Sequence, residues 1–285
     1  MASAKVAQES WYDHPRYYDL AFKSETGPEA NFVEAACRKY CSFPVRRLLE
    51  PACGSGRLVA ELAARGYRMT GLDLNQPALK FLRRRLARRG LRADIFLADM
   101  ADFCLARPVD AAYCTFDSFR HLLSEQAAQQ HLECVAASLR PGGVYILGFH
   151  LLPPDASEEC TERWTERLGC TQVTVTLRVL SSSRRRRLET LRISLLVRQR
   201  DRLKRLRDEF PLRLYTAAQF RRLLSKVPRL RLCGVYDFWY DIEHPLKLDN
   251  QMSDTVFILQ KLTAEGDSPI FAASCRENWD SPRHP

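Results

Sequence analysis

A short turn of small residues follows a carboxylate in this sequence: Glu50 precedes Ala52, Gly54 and Gly56. Small residues let the backbone approach a ligand closely, and a carboxylate at the mouth of such a turn repels phosphate and attracts a cation. The dinucleotide-binding spacing GxGxxG needs a small residue where this chain has Val59, and no Lys-Ser/Thr pair follows for a nucleoside triphosphate. The turn therefore predicts a cationic ligand.

Two further acids, Asp73 and Asp99, stand where predicted strands end. Asp73 follows Gly56 by 17 residues and suits the two hydroxyls of a ribose, while Asp99 suits an adenine amino group with Met100 as an apolar wall. Ligands of open α/β sheets bind beyond the carboxyl ends of the strands, so these acids are expected at one crevice. S-adenosylmethionine, which carries a sulfonium, an ammonium, a ribose and an adenine, matches this set of groups.

The elements that must position these residues follow from hydrophobic patterning between about residues 45 and 150. Short apolar runs alternate with amphipathic segments, which is typical of βαβ units around a parallel sheet. Strands are predicted at 45–49, 67–72, 94–98, 109–116, 144–149, 230–238 and 254–260, and helices at 57–65, 76–89, 125–139 and 216–227. The last of the central helices is predicted to end at Pro141-Gly-Gly143. The pattern predicts an α/β fold with a Rossmann-like, doubly wound sheet of seven mostly parallel strands.

A second kind of pattern occupies the segment after residue 154. Residues 171–180, 188–199 and 204–215 alternate or are rich in β-forming residues, although the third run also allows some helix. We expect an antiparallel β insertion, or lid, at 155–215. The predicted divisions are a cap segment with a helix at 1–44, a cofactor-binding core at 45–154, the lid at 155–215, a C-terminal helix and last strands at 216–262, and a loose tail at 263–285.

The charge of the chain is unevenly distributed. Of its 285 residues, 44 are Lys or Arg and 34 are Asp or Glu, which gives a net charge of +10. Residues 178–207 contribute +10 and residues 80–92 contribute +7, so the remainder of the chain carries −7. The ten cysteines show no spacing typical of zinc sites, and no export signal or membrane-spanning run is apparent. These features predict a cytoplasmic protein without a metal site or a membrane partner.

Five motifs together resemble the class I S-adenosylmethionine-dependent methyltransferases. They are Leu49–Arg57, Gly71–Leu74, Ala98–Met100, Phe116–His121 and Leu139–Gly143, in the order and spacing of that family. The resemblance covers residues 30–150 well and the rest by general layout. It implies an enzyme that transfers a methyl group from S-adenosylmethionine to a small organic acceptor by direct displacement. Ala52 replaces the usual first glycine of the family's glycine-rich motif, and Pro51 is less common there.

The resemblance also implies the roles of single residues. Glu50, Ala52, Gly54 and Gly56 surround the methionine part, Asp73 binds the ribose, Asp99 and the Met100 backbone bind the adenine, and Phe116 borders the methyl group. The full predicted cofactor set is Tyr18, Glu50, Ala52, Gly54, Gly56, Arg57, Asp73, Leu74, Asp99, Met100 and Phe116. The aromatic segment Trp11–Phe22 is expected either to fold over the cofactor, as in many small-molecule members, or simply to pack the N-terminal helix.

Candidates for acid–base and acceptor contacts are fewer. His121 is the predicted general base, since Ser118-Phe-x-His-Leu resembles the corresponding stretch of glycine and sarcosine N-methyltransferases and histidine suits proton transfer near neutral pH; the alternative is a structural histidine. An extended chain puts Arg213 and Tyr215 on one face, where they could bind an anionic acceptor. Tyr17 and His150 are further acceptor candidates. His14, His131, His244 and His284 are predicted to be surface or loop residues.

Two other functions use the same scaffold. An RNA methyltransferase could dock through Arg184–Arg187, predicted at the tip of a hairpin, although a solvated charge run is the favoured explanation of these arginines. A non-catalytic protein that binds the cofactor or a partner is the second alternative, against which the intact strand-end acids argue.

Overall fold

The computed structural model describes residues 6–157, 160–200 and 202–262. Its strands are β1 (Val6–Gln8), β2 (Arg47–Pro51), β3 (Arg68–Asp73), β4 (Ala93–Leu97), β5 (Val109–Cys114), β6 (Leu139–His150), β7 (Thr161–Leu168), β8 (Thr171–Ser183), β9 (Leu188–Gln199), β10 (Arg202–Arg213), β11 (Leu230–Tyr236) and β12 (Asp254–Lys261). Its helices are α1 (Pro15–Ala21), α2 (Thr26–Tyr40), α3 (Arg57–Ala64), α4 (Gln76–Arg88), α5 (Glu125–Ser138) and α6 (Ala217–Leu224), with 3-10 turns at Trp11–Asp13 and Ser118–His121.

The central sheet has seven strands in the order β11-β12-β6-β5-β2-β3-β4. Strands β2 to β6 pair in parallel, whereas β12 pairs antiparallel with both β6 and β11. Every residue of β5 is buried, as expected of a strand covered on both faces by helices. This architecture confirms the predicted fold class.

The second sheet forms the lid and has five strands in the order β1-β10-β9-β8-β7. Its strands pair antiparallel except β1, which lies parallel to β10. Residues 202–213 form a strand throughout, so the helical alternative for that run is wrong. Neither β1 nor β7 was predicted, because one is three residues long and the other carries four charged side chains and has no buried residue.

The junction between α5 and β6 also differs from the prediction. Ser124 caps α5, its hydroxyl accepting a hydrogen bond from the Ala127 backbone N–H at 3.0 Å, but the strand already begins at Leu139. The Pro141-Gly-Gly143 segment therefore lies within β6 and does not end the helix. A Cβ at Gly143 would lie 2.5 Å from the carbonyl oxygen of Asp110, so glycine permits the close approach of β6 to β5.

The N-terminal segment lies between the lid and the central sheet. Trp11, Leu20 and Phe22 pack in one buried cluster with Val173 and Ile193 of the lid. Within the described residues, no helix combines the length and apolarity needed to cross a membrane. The predicted tail at 263–285 lies outside the described residues, and the predicted domain boundaries stay predictions.

Candidate active site

A cavity of about 710 Å³ opens beyond the carboxyl ends of β2, β3 and β4. The N-terminal segment and the loop that follows β5 complete its wall. Its lining residues are Ser10, Tyr12, Pro15, Tyr18, Ala52, Gly54, Ser55, Asp73, Leu74, Asn75, Ala78, Ala98, Asp99, Met100, Ala101, Ser118, His121, Leu122, Leu123, Ser124 and Ala127. Seven of the predicted cofactor residues are in this set, and His121 lies among them. Among the described residues that line it, the formally charged ones are the acids Asp73 and Asp99, which suits a cationic ligand.

The turn after β2 fixes the carboxylate of Asp73. One carboxylate oxygen accepts a hydrogen bond from the Gly54 backbone N–H and the other from the Asn75 backbone N–H, each at 2.7 Å. Ala52, Gly54 and Gly56 all have positive φ, so the chain curls tightly there and glycine is favoured. Burial raises the pKa of Asp73, and the two backbone donors oppose that shift. Each oxygen keeps a lone pair for a ribose hydroxyl.

Asp99 and Met100 lie at one end of the cavity, where the adenine is predicted to bind. The Asp99 carboxylate accepts a hydrogen bond from the Ala101 backbone N–H at 2.8 Å, and the Met100 carbonyl lies 2.8 Å from Nδ1 of His131. Leu74 lies at the rim with 65% of its surface exposed, where it could cover a flat ring. The geometry therefore leaves polar acceptors and an apolar wall side by side.

His131 corrects a prediction, since it is fully buried on α5 and not on the surface. Its Nε2 lies 2.7 Å from the hydroxyl of Tyr145 in β6, so the imidazole bridges the Met100 loop to the central sheet. Burial lowers the pKa of His131 to about 4, which keeps the ring uncharged at neutral pH. The sequence signal was its place on the apolar face of α5 with Ala128, Leu132 and Val135.

Buried charges lie behind the turn, near the place predicted for the methionine part of the cofactor. The Glu50 carboxylate is 9% exposed and accepts a hydrogen bond from Tyr113 at 2.9 Å, and burial raises the pKa of Glu50 to about 8. Arg57 donates to Glu29 at 2.5 Å, and the Thr115 hydroxyl donates to the other oxygen of Glu29 at 2.8 Å. Sequence reasoning missed Glu29, a fully buried acid on α2. A cationic group beside Glu50 would favour its ionised form.

The N-terminal segment is tied across the cavity by polar contacts. Asn75 donates to the Asp13 carboxylate at 2.7 Å, and the Ser55 hydroxyl donates to Asp19 at 3.2 Å. Arg85 of α4 forms an ion pair with Asp19. Tyr12 and Tyr18 of this segment line the cavity. The aromatic segment therefore both packs against its neighbours and lines the cavity, which is compatible with both roles predicted for it.

His121 lies in the cavity wall between the N-terminal segment and the lid. Its Nε2 is 2.9 Å from the Tyr12 hydroxyl, and its ring packs against Phe210 of β10 at 5.2 Å between centroids. Burial lowers the pKa of His121, so the imidazole is neutral at pH 7 and can accept a proton.

Arg213 and Tyr215, the acceptor candidates predicted in the lid, are not among the described residues that line this cavity. Tyr215 is fully buried between Phe119 and Phe149, with ring centroids 5.5 Å from each. Arg213 is 9% exposed and donates to the Leu123 carbonyl at 2.6 Å. Both faces of the chain are covered at this point, so strand alternation does not separate a polar face from an apolar one.

Other predicted residues are absent from the described lining of the cavity. Phe116 packs on Phe22 at 4.9 Å, His150 pairs with Asp254 at 2.9 Å, and Tyr17 stacks on His14 at 5.8 Å. Behind the turn, Glu50 accepts from Tyr113 and Arg57 donates to Glu29. Gly56 lies against Leu82 of α4. Within the described residues, no group of three or more His, Cys, Asp or Glu side chains is arranged to hold a metal ion.

Comparison with known proteins shows that the chain is similar to methyltransferases. Residues 48–143 match the family described as a methyltransferase domain. The chain is 31% identical over 198 residues to dTDP-3-amino-3,6-dideoxy-alpha-D-glucopyranose N,N-dimethyltransferase of Streptomyces fradiae. The aligned region covers 69% of this chain and 74% of that protein.

Two solved structures share the fold over nearly their whole length. DesVI of Streptomyces venezuelae superposes with a TM-score of 0.72 at 19% identity, covering 86% of this chain and 97% of that one. S-adenosylmethionine-bound CalS10, an amino pentose methyltransferase from Micromonospora echinaspora, gives 0.65 at 19% identity, covering 91% of this chain and all of that one.

Proposed function

The chain belongs to the class I S-adenosylmethionine-dependent methyltransferases and methylates a small organic acceptor; from this premise we propose that the acceptor is an amine carried by a sugar. The amino-sugar relative favours a small-molecule acceptor over the RNA-methylating and non-catalytic alternatives. Two observations support an amine. The Streptomyces fradiae relative is named for an amino sugar, and Ser118–Leu122 resembles the matching stretch of glycine and sarcosine N-methyltransferases.

The cofactor site we propose follows from the fit of the cavity. Asp73 binds the ribose hydroxyls, Asp99 with the Met100 backbone binds the adenine, and Glu50 faces the cationic methionine end across the turn that includes Gly54. Bound S-adenosylmethionine supplies a methyl group activated by its sulfonium. The acids fit this ligand because they concentrate negative charge around a cavity whose described lining holds no Lys or Arg.

His121 is proposed to serve the acceptor nitrogen. The nitrogen lone pair forms the new N–C bond while the S–C bond breaks and its electron pair stays on sulfur, so the product nitrogen carries a surplus proton. Neutral His121 can take that proton or remove one from an incoming ammonium, and Tyr12 holds the ring in place at 2.9 Å. The single observation that carries this role is the place of the His121 imidazole in the cavity wall between the cofactor-binding core and the lid, within hydrogen-bond distance of Tyr12.

Replacement of His121 by Asn tests the proposal, since asparagine keeps a hydrogen-bonding partner for Tyr12 but accepts no proton. We expect kcat to fall roughly 100- to 10,000-fold. The Kd for S-adenosylmethionine should change by less than about threefold. His244→Asn is the matched control, because His244 is exposed and pairs with Asp241. Unchanged kcat and an unchanged pH profile in His121→Asn would exclude the base role.

A further inference from the structure

Arg120 stands next to His121 and joins three elements through one buried guanidinium. It is 5% exposed, and its Nη1 donates to the Asp117 carboxylate at 3.0 Å. Its Nε donates to the Arg213 carbonyl at 2.9 Å, and its Nη2 donates to the carboxylate of Glu189. Lysine has one nitrogen and could not span these three positions, whereas the planar fork of arginine can.

The core side of this junction is held at the ends of two strands. Asp117 follows β5 with φ of 57°, a left-handed conformation that is uncommon for a residue other than glycine. Its backbone N–H donates to the Gly148 carbonyl at 3.1 Å, and its carboxylate accepts from the His150 backbone N–H at 3.0 Å. Arg120 neutralises the same carboxylate. The loop that carries His121 is therefore fastened to β6.

The lid side of the junction is held by two adjacent strands. Glu189 lies near the start of β9 and Arg213 ends β10, and the two strands pair along their whole length. The same β10 places Phe210 against the His121 ring. Arg120 on the core side is thus hydrogen-bonded to both lid strands, and one of them, β10, packs against His121.

We propose that Arg120 is a positioning residue for methyl transfer, whose guanidinium locks β9 and β10 onto the loop after β5 and so sets the place of the His121 imidazole in the cavity wall. This inference rests on the proposed role of His121. Arg120 itself is absent from the described lining of the cavity, so it acts through its neighbour.

The charges around His121 provide a readout that a purely structural role would not move. Asp117 raises the pKa of His121, Arg120 lowers it, and Asp208 of β10 raises it, while Tyr12 contributes a neutral hydroxyl. Arg120→Gln leaves Asp117 uncompensated, so the pKa of His121 should rise and the acidic limb of the kcat profile should move to higher pH. Glu189→Gln loosens the lid but keeps the charge of Arg120, so it should shift this pKa less than Arg120→Gln does.

Three variants of the full chain test the proposal: Arg120→Gln, Glu189→Gln and the control Arg192→Gln. Arg192 forms an exposed ion pair with Glu209 in the same sheet at 2.8 Å. The measurements are kcat at saturating substrates, S-adenosylmethionine affinity, the His121 titration by NMR, and amide hydrogen exchange over residues 188–213. Both test variants should exchange at least tenfold faster there and lose at least tenfold in kcat, with cofactor Kd within threefold, and the control should match the wild type.

These measurements test the positioning role of Arg120 separately from the base role of His121. Wild-type kcat and exchange in Glu189→Gln, or an unshifted His121 titration in folded Arg120→Gln, would overturn the positioning role, and the milder Glu189→Gln decides if Arg120→Gln does not fold. The exchange and NMR measurements need no turnover. Full activity of His121→Asn would instead remove the base role while leaving the contacts of Arg120 measurable.

Discussion

Among single residues, the proposed cofactor site depends on carboxylates whose oxygens are already oriented by backbone amides. Asp73 and Asp99 each accept such a hydrogen bond, at 2.7 and 2.8 Å. Pre-oriented acceptors lose little conformational entropy when a ligand binds, so they discriminate well among hydroxyl and amino donors. These two acids were predictable from sequence, because each ends a strand in a βα pattern.

Replacing either acid should weaken cofactor binding. We expect Asp73→Asn and Asp99→Asn each to cost about 1.5–3 kcal/mol, or roughly 10- to 100-fold in Kd for S-adenosylmethionine by calorimetry. Asp94→Asn is the control, since Asp94 is an exposed acid on the neighbouring β4. Wild-type affinity in both test variants would contradict the placement of the cofactor.

Glu50 should make cofactor binding release a proton. Its raised pKa, about 8, leaves it largely protonated at pH 6.5, whereas a cationic methionine group favours the carboxylate. Calorimetry at pH 6.5 in buffers of different ionisation enthalpy should show release of close to one proton per cofactor bound. Glu50→Gln should bind without release. Equal release in both proteins would show that another group titrates.

At the scale of elements, the lid is pinned at the hairpin between β8 and β9. Arg184 donates to the carbonyls of Pro153 and Ala156 at 3.1 and 3.0 Å, and Arg187 donates to Glu125 at 3.0 Å. The run is a hairpin tip as predicted, but these two arginines are not merely solvated. Arg185 and Arg186 are the exposed members of the run.

Paired substitutions should separate the two kinds of arginine. Arg184→Ser with Arg187→Ser should destabilise the lid by roughly 1–3 kcal/mol, seen as faster amide exchange in β8 and β9, because partly buried acceptors lose their donors. Arg185→Ser with Arg186→Ser should leave exchange and turnover at wild-type values. Loss of turnover in the latter pair together with salt-dependent RNA binding would instead revive the nucleic-acid alternative.

The elements also show why some structure could not be predicted. The parallel core follows from apolar runs and helical spacing, both local signals. By contrast, β7 has the sequence Thr-Glu-Arg-Trp-Thr-Glu-Arg-Leu. It pairs with β8 through its backbone, and its Trp164 donates to the Ala21 carbonyl of α1 at 2.9 Å. Tyr215 is buried because Phe119 and Phe149 cover it from the core, a long-range contact that alternation cannot report.

At the scale of the whole molecule, charge is divided by role. The cationic excess lies on α4 and the lid, while the remainder of the chain carries −7 and contains Glu50, Asp73 and Asp99. A negative pocket in a basic protein favours a cationic cofactor locally without requiring a basic partner. The net charge of +10 is therefore a property of the surface and gives no indication of the chemistry.

The most direct test is transfer of labelled methyl from S-adenosylmethionine to a panel of small acceptors, run beside total tRNA and rRNA. The panel should pair amino sugars, free and nucleotide-linked, with their hydroxyl analogues. We predict saturable labelling of an amino sugar and no labelling of its hydroxyl analogue or of the RNA. The signal should be lost in Asp73→Asn. Labelling of RNA, or of the hydroxyl analogue in place of the amine, would contradict the proposed function.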